Sequence, residues 1–89
     1  MANMLIQLKV KDFDAWKKVF DTGNDLRKSS GELSHQIYRD AGDPNMLTAI
    51  YKWDSLQNAQ KFAQSGDLRA FMEKAGVLGP TSVTYLKEV

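Results

Sequence analysis

The sequence holds no cysteine, two prolines and a single histidine. Without thiols there are no disulfide staples, no thiolate zinc knuckles and no iron–sulfur clusters. A chain of this kind is at ease in a reducing compartment, and a cytoplasmic location is expected. One histidine also leaves no HExxH-type ligand spacing, so no metal site is read. Neither sign of charge dominates: 12 lysines and arginines stand against 11 aspartates and glutamates, for a net charge of +1. They are scattered, without the basic stripe that a small nucleic-acid binder carries, and no nucleic-acid partner is expected. No apolar run approaches the ~20 residues needed to cross a bilayer, so no membrane association is expected. The amino end, MANMLIQLKV, lacks a basic region ahead of its apolar residues, and Lys9 interrupts them. It reads as a strand, not a signal peptide. Glycine-rich phosphate loops and nucleophile elbows are missing too.

What is present is a strong pattern. Met4, Ile6, Leu8 and Val10 alternate with Leu5, Gln7 and Lys9, the period of a half-buried strand. Asp12 can cap a helix in which Phe13, Trp16, Val19, Phe20, Gly23 and Leu26 or Arg27 recur at three- and four-residue steps. Gly23 weakens the middle of that helix and Gly31 is placed to end it. Leu33, His35 and Ile37 alternate with Ser34, Gln36 and Tyr38 in a second strand. Met46 to Trp53, MLTAIYKW, reads as a third. Asp54 or Ser55 caps a helix bearing Leu56, Ala59, Phe62 and Ala63 on one stripe. Ser65 to Asp67 break it, Leu68, Phe71, Met72 and Ala75 resume the stripe, and Gly76 closes it. VLGPTS reads as a loop and SVTYLKEV, from Ser82, as the last strand.

The stretch RDAGDPNMLTAIYKWDS, Arg39 to Ser55, packs an arginine, three aspartates, an asparagine, a tyrosine and a tryptophan into one short span. Its polar half, Asp40 to Asn45, has the turn chemistry of Gly, Asp, Pro and Asn and reads as a hairpin turn. Its aromatic half, Tyr51 and Trp53, is the better pocket wall.

A strand, helix, strand, strand, broken helix, strand order is the split βαβ arrangement: an α+β, ferredoxin-like βαββαβ fold with a four-stranded antiparallel sheet and a broken second helix. No linker or repeat divides residues 1–89, which read as one domain. The strands carry large apolar groups on both faces. Met46 and Ile50 oppose Leu47, Ala49, Tyr51 and Trp53, and Leu86 opposes Val83 and Tyr85. A chain of 89 residues buries only a little over ~60% of its unfolded surface. Sharing a core with a second copy remedies both features, and a homodimer closing two sheets face to face is expected.

With these elements placed, the chain resembles the dimeric α+β barrel superfamily, in particular the small proteins related to antibiotic-biosynthesis monooxygenases. YRDAGDPNMLTAIYKWDSLQNAQKFAQSGDLRAFMEKAGVLGP follows that family's order of hairpin, tryptophan closing the third strand, WDS cap and broken helix. DFDAWKKVFD is similar to its opening helix. The resemblance implies a ligand cavity between the sheet and its own helices, and members that oxygenate phenolic polyketides without a cofactor, degrade haem, or isomerise small molecules. Haem-degrading relatives use a first-strand asparagine, a tryptophan and a helix histidine. Here Trp53 matches the tryptophan, but Gln7 stands on the first strand and no histidine follows His35. The helix histidines of many monooxygenase-like members fall at Phe62 and Asp67. Haem chemistry is set aside, and no cofactor is expected.

His35 is the candidate catalytic base, the one side chain whose ordinary pKa lies near neutral. It can take a proton from a phenol and leave the electron-rich anion that reacts with oxygen. The alternative is a histidine held at a sheet edge or dimer contact. Tyr51, Trp53, Tyr85 and Trp16 are candidate ligand-stacking groups, or simply core and interface. Arg39 can hold a carboxylate ligand or pair with Asp40 or Asp43. Three functions fit: a cofactor-free monooxygenase-like enzyme for an aromatic or polyketide-like molecule, a non-catalytic or stress-related barrel holding a small apolar ligand, or a bare dimerisation module.

Overall fold

The computed structural model describes residues 2–89. Four strands and four helices alternate as β1 (Ala2–Val10), α1 (Phe13–Thr22), α2 (Asn24–Ser30), β2 (Glu32–Arg39), β3 (Met46–Trp53), α3 (Leu56–Ala63), α4 (Gly66–Lys74) and β4 (Val77–Lys87). The strands form one antiparallel sheet in the order β2-β3-β1-β4, the ferredoxin-like topology that the split βαβ reading expects.

Caps written in the sequence start three of the four helices. Asp12 Oδ2 accepts from the Ala15 amide at 3.3 Å, Ser55 Oγ from Asn58 at 3.1 Å and Ser65 Oγ from Leu68 at 3.2 Å. The first helical stretch is two helices, since Gly23 divides α1 from α2. The reason is steric as well as conformational. A Cβ on Gly23 would lie 2.9 Å from Arg27 Nη1 and 3.3 Å from the Phe71 ring. The polar half of the hairpin is a turn: Asp40 Oδ2 accepts from the amides of Gly42 and Asp43, both at 2.9 Å, and the Asp40 amide donates to the Met46 carbonyl.

The inner sheet face carries Met4, Ile6, Leu8, Val10, Leu47, Ala49, Tyr51 and Trp53, all buried under the helices with Trp16, Phe20 and Phe62. Leu5 and Ile50 face each other on the opposite side. Around them Met46, Leu78, Leu86 and Tyr38 are exposed, so this uncovered face carries an apolar patch among polar neighbours that include Asn3, Gln7, Lys9, Thr48 and Lys52.

Two strand readings change. VLGPTS is the first half of β4, not a loop. The pairing of β4 with β1 shifts register between Gln7 and Lys9. Gly79, at φ 70°, sits in the β4 stretch facing that shift, and Pro80 is tolerated because β4 is an edge strand. In β2, Glu32 pairs with Trp53 and Ser34 with Lys52, so Leu33 is an extra residue. That bulge turns Leu33 out to solvent, 54% exposed, and puts Glu32 inside.

Gly31 has φ 121°, where only glycine is comfortable, and a Cβ there would lie 2.5 Å from Asp54 Oδ1. Gly66 opens α4 with no neighbour within 4 Å of a Cβ. Gly31→Ala is therefore expected to cost about 1–3 kcal/mol in urea unfolding, while Gly66→Ala is neutral or adds up to ~1 kcal/mol. Equal effects would contradict the strain at Gly31.

Candidate functional site

Between the helices and the inner sheet face lies a cavity of about 50 Å³. Its floor is Ile6, Leu8 and Tyr51, with Trp16 and Phe20 of α1 on one side and Phe62, Phe71 and Met72 of α3 and α4 on another. Two lining residues bear polar side-chain groups other than the indole of Trp16: Arg27 with its guanidinium and Tyr51 with its hydroxyl.

Arg27 is held on every side. Its guanidinium lies 3.8 Å over the Phe20 ring, Nη1 donates to the Phe20 carbonyl at 2.9 Å, and Nη2 donates to Asn24 Oδ1. Nε stands 2.8 Å from Glu32 Oε2, a close ion pair whose N–H is poorly aligned for a hydrogen bond. Both residues are buried, Arg27 at 5% and Glu32 at 6% exposure. The other carboxylate oxygen, Oε1, lies 2.7 Å from His35 Nδ1. Arg27, Glu32 and His35 thus form a continuous polar network from α2 to β2.

Beside it, Trp16 and Phe20 stack at 4.9 Å, and the His35 ring meets Phe20 edge to face at 5.0 Å. His35 does not line the cavity; Phe20 touches both. Its side chain is 30% exposed. Tyr51, directly across the ladder from His35, is buried. Burial raises its hydroxyl pKa above the ordinary 10.0, an effect that the positive charge of Arg27 opposes and the negative charge of Glu32 reinforces.

Of the residues proposed from sequence, Tyr51 and Trp16 meet at the cavity and His35 lies one ring away. Trp53 is fully buried against Phe62, with ring centres 5.2 Å apart and its indole N–H without a hydrogen-bond partner among the described residues. Tyr85 lies opposite Met4 on β4 and packs at the core's edge. Arg39 stacks over Phe13 at 4.2 Å and donates to the Pro44 carbonyl, away from the cavity. Asp43 pairs with Lys9 at 3.7 Å. The guanidinium of the site is that of Arg27. A charged residue on an otherwise apolar helical stripe was the signal for it. Glu32 had none: strict alternation puts Leu33 inside with His35, and only the bulge brings Glu32 and His35, three residues apart, onto one face.

Residues 1–74 match the sequence profile of the antibiotic biosynthesis monooxygenases. The chain belongs to that family. A family protein from Bordetella bronchiseptica, 16% identical, superposes with a TM-score of 0.81, covering 99% of this chain and 96% of its own. One from Caulobacter crescentus is 18% identical, with a TM-score of 0.78 and coverage of 99% and 89%. A mutant of SnoaB, a cofactor-independent oxygenase from Streptomyces nogalater, is 19% identical, with a TM-score of 0.74 and coverage of 98% and 91%. At these identities the likeness concerns the fold. No curated protein matches the sequence. Among the described residues, no helix is long and apolar enough to cross a membrane.

In this family member, Arg27 and Glu32 stabilise each other only as a pair. Arg27→Met or Glu32→Gln alone is expected to cost about 3–5 kcal/mol in urea unfolding, and the combined Arg27→Met, Glu32→Leu variant less than either. Additive costs would mean that the two do not interact. Tyr51 gives a separate test. Because its folded pKa is raised, the folded state keeps the proton longer than the unfolded chain. This contribution is fully present below pH ~10 and is lost above it, at a slope approaching 1.4 kcal/mol per pH unit. Tyr51→Phe is expected to lose stability more slowly than the parent between about pH 10 and pH 11. Parallel curves would place the hydroxyl in solvent.

Proposed function

We propose that this family member is a homodimeric oxygenase that acts on a small aromatic or polyketide-like phenol without a metal or organic cofactor. The observation that carries this reading is the aromatic cavity with the Glu32–His35 pair one ring away. A carboxylate can only accept, so His35 donates through Nδ1 and its Nε2 is left as the free acceptor. That nitrogen takes the phenolic proton, through a bridging water past the Phe20 edge, and the resulting anion is electron-rich enough to react with oxygen. Trp16, Phe20 and Tyr51 offer faces for a flat ring. SnoaB, a cofactor-independent oxygenase on the same fold, lends support.

The cavity sets a condition. At about 50 Å³ it is smaller than the ~150 Å³ that holds benzene in a protein core. A ring enters when α4 moves outward. This helix buries no residue completely, and its Leu68, Phe71 and Met72 only half-cover the site. The dimer rests on the uncovered sheet face around Leu5 and Ile50, with exposed Tyr38, Met46, Leu78 and Leu86. A second reading, a barrel that holds a small apolar ligand without turning it over, is favoured by one observation: His35 does not line the cavity.

His35→Gln is expected to abolish oxygen uptake with a phenolic substrate while native mass spectrometry still finds two chains. Normal turnover in that variant removes the proposed base. A monomeric mass for the parent protein removes the shared barrel.

A further inference from the structure

Ala75, the C-cap of α4, is buried and is the smallest side chain in the cavity wall. Ile6, Leu8, Phe62, Leu68 and Met72 belong to the same wall, so much of the space beside it is bounded by hydrocarbon and rings. At about 50 Å³ the cavity exceeds the ~30 Å³ share of one water and falls far below the ~150 Å³ that holds benzene. As it stands, it admits a guest of a few atoms.

The chemistry of the walls selects among such guests. The polar groups stand together around Phe20, with the Arg27 guanidinium 3.8 Å over that ring and the Trp16 and Tyr51 rings 4.9 Å and 6.4 Å from it. Arg27 already directs N–H groups to the Phe20 carbonyl and Asn24 and towards Glu32. A buried water is held by two to four polar partners, which the hydrocarbon side of the cavity does not offer. An apolar guest gains there twice. It leaves water, and it supplies the dispersion contacts that side chains around a void lack. Small size without polarity describes a diatomic gas.

We propose that the cavity is a binding site for dioxygen, held on its hydrocarbon side against Ile6 and Leu8 of β1, while an aromatic ring occupies the space that α4 vacates. The existence of the site follows from its volume and walls. The choice of dioxygen over other apolar gases rests on the oxygenase reading above, whose reaction consumes it. No bond forms or breaks in this step. Dioxygen is in place on the sheet side before the ring enters from the helix side.

The test reads the methyl NMR signals of the full chain under gas pressure. Dioxygen is paramagnetic and speeds the relaxation of nuclei it visits, while xenon, an inert apolar guest, shifts the signals of nuclei around it. The methyl groups of Ile6, Leu8 and Met72 are expected to relax several-fold faster under dioxygen than under nitrogen. Met4 and Leu47, buried on the same sheet face but outside the wall, are the controls and should change much less. Xenon is expected to shift the same three wall residues. Ala75→Val, which adds two carbons at the wall, should reduce both effects several-fold. Should valine at the cap prevent folding, Val19→Ile fills the cavity from α1, and the comparison of wall with control residues in the parent protein carries the test by itself. Equal relaxation at wall and control residues, or a long-lived water beside Ile6 and Leu8 that neither gas displaces, overturns the site and leaves the aromatic-ligand reading standing. Gas bound at the wall of a protein that does not bind 2-naphthol, followed by its fluorescence, keeps the site and removes the aromatic-ligand reading instead.

Discussion

A buried guanidinium–carboxylate pair holds the helical layer to the sheet at the site. Arg27 closes the break between α1 and α2 by bonding the Phe20 carbonyl and covering the Phe20 ring, while its ion pair reaches down to Glu32 at the start of β2. Charges taken out of water are stabilising only when their partners are in place, so the pair constrains everything that supplies a partner. Gly23 must lack a side chain for Arg27 to lie where it does. The bulge at Leu33 must be present for Glu32 to turn inward. His35 takes its orientation from the same carboxylate. Phe20, Tyr51 and the cavity are arranged around that network.

Most of the fold was legible because it rests on local chemistry. The alternation in β1 and β3, the Asp12, Ser55 and Ser65 caps and the Asp40 to Asn45 turn each act over a few residues, and each is found where the pattern puts it. The two strand misreadings, the loop assigned to VLGPTS and the inward placement of Leu33, fall at bulges. A bulge is one extra residue whose cause lies in the partner strand, so a single strand's alternation cannot announce it. The site was half legible for the same reason. Tyr51 and Trp16 sit on regular elements and were found at the cavity. Arg27 stood on a helical stripe without revealing its partner, since Glu32 reaches it only through the β2 bulge. Arg39, beside the turn, drew attention by its neighbours in sequence, whereas its contacts are Phe13 and Pro44.

The polar network also keeps the histidine out of the cavity. His35 is set behind Phe20, against a carboxylate and partly open to water, and the cavity is walled by hydrocarbon and rings apart from Arg27 and Tyr51. Burial divides the helical layer too, with Trp16, Phe20 and Arg27 buried on the α1–α2 side and no residue of α4 fully buried.

Both bulges lie on the outer strands of the sheet, β2 and β4. A sheet margin with an unbroken row of amide and carbonyl groups is a template on which further strands can add without limit. Here one margin is interrupted at Leu33 and the other at the Gly79–Pro80 stretch, where proline also removes an amide. Neither margin can be extended in register over its whole length by another copy. The rim of the sheet is thereby protected against open-ended growth by strand addition.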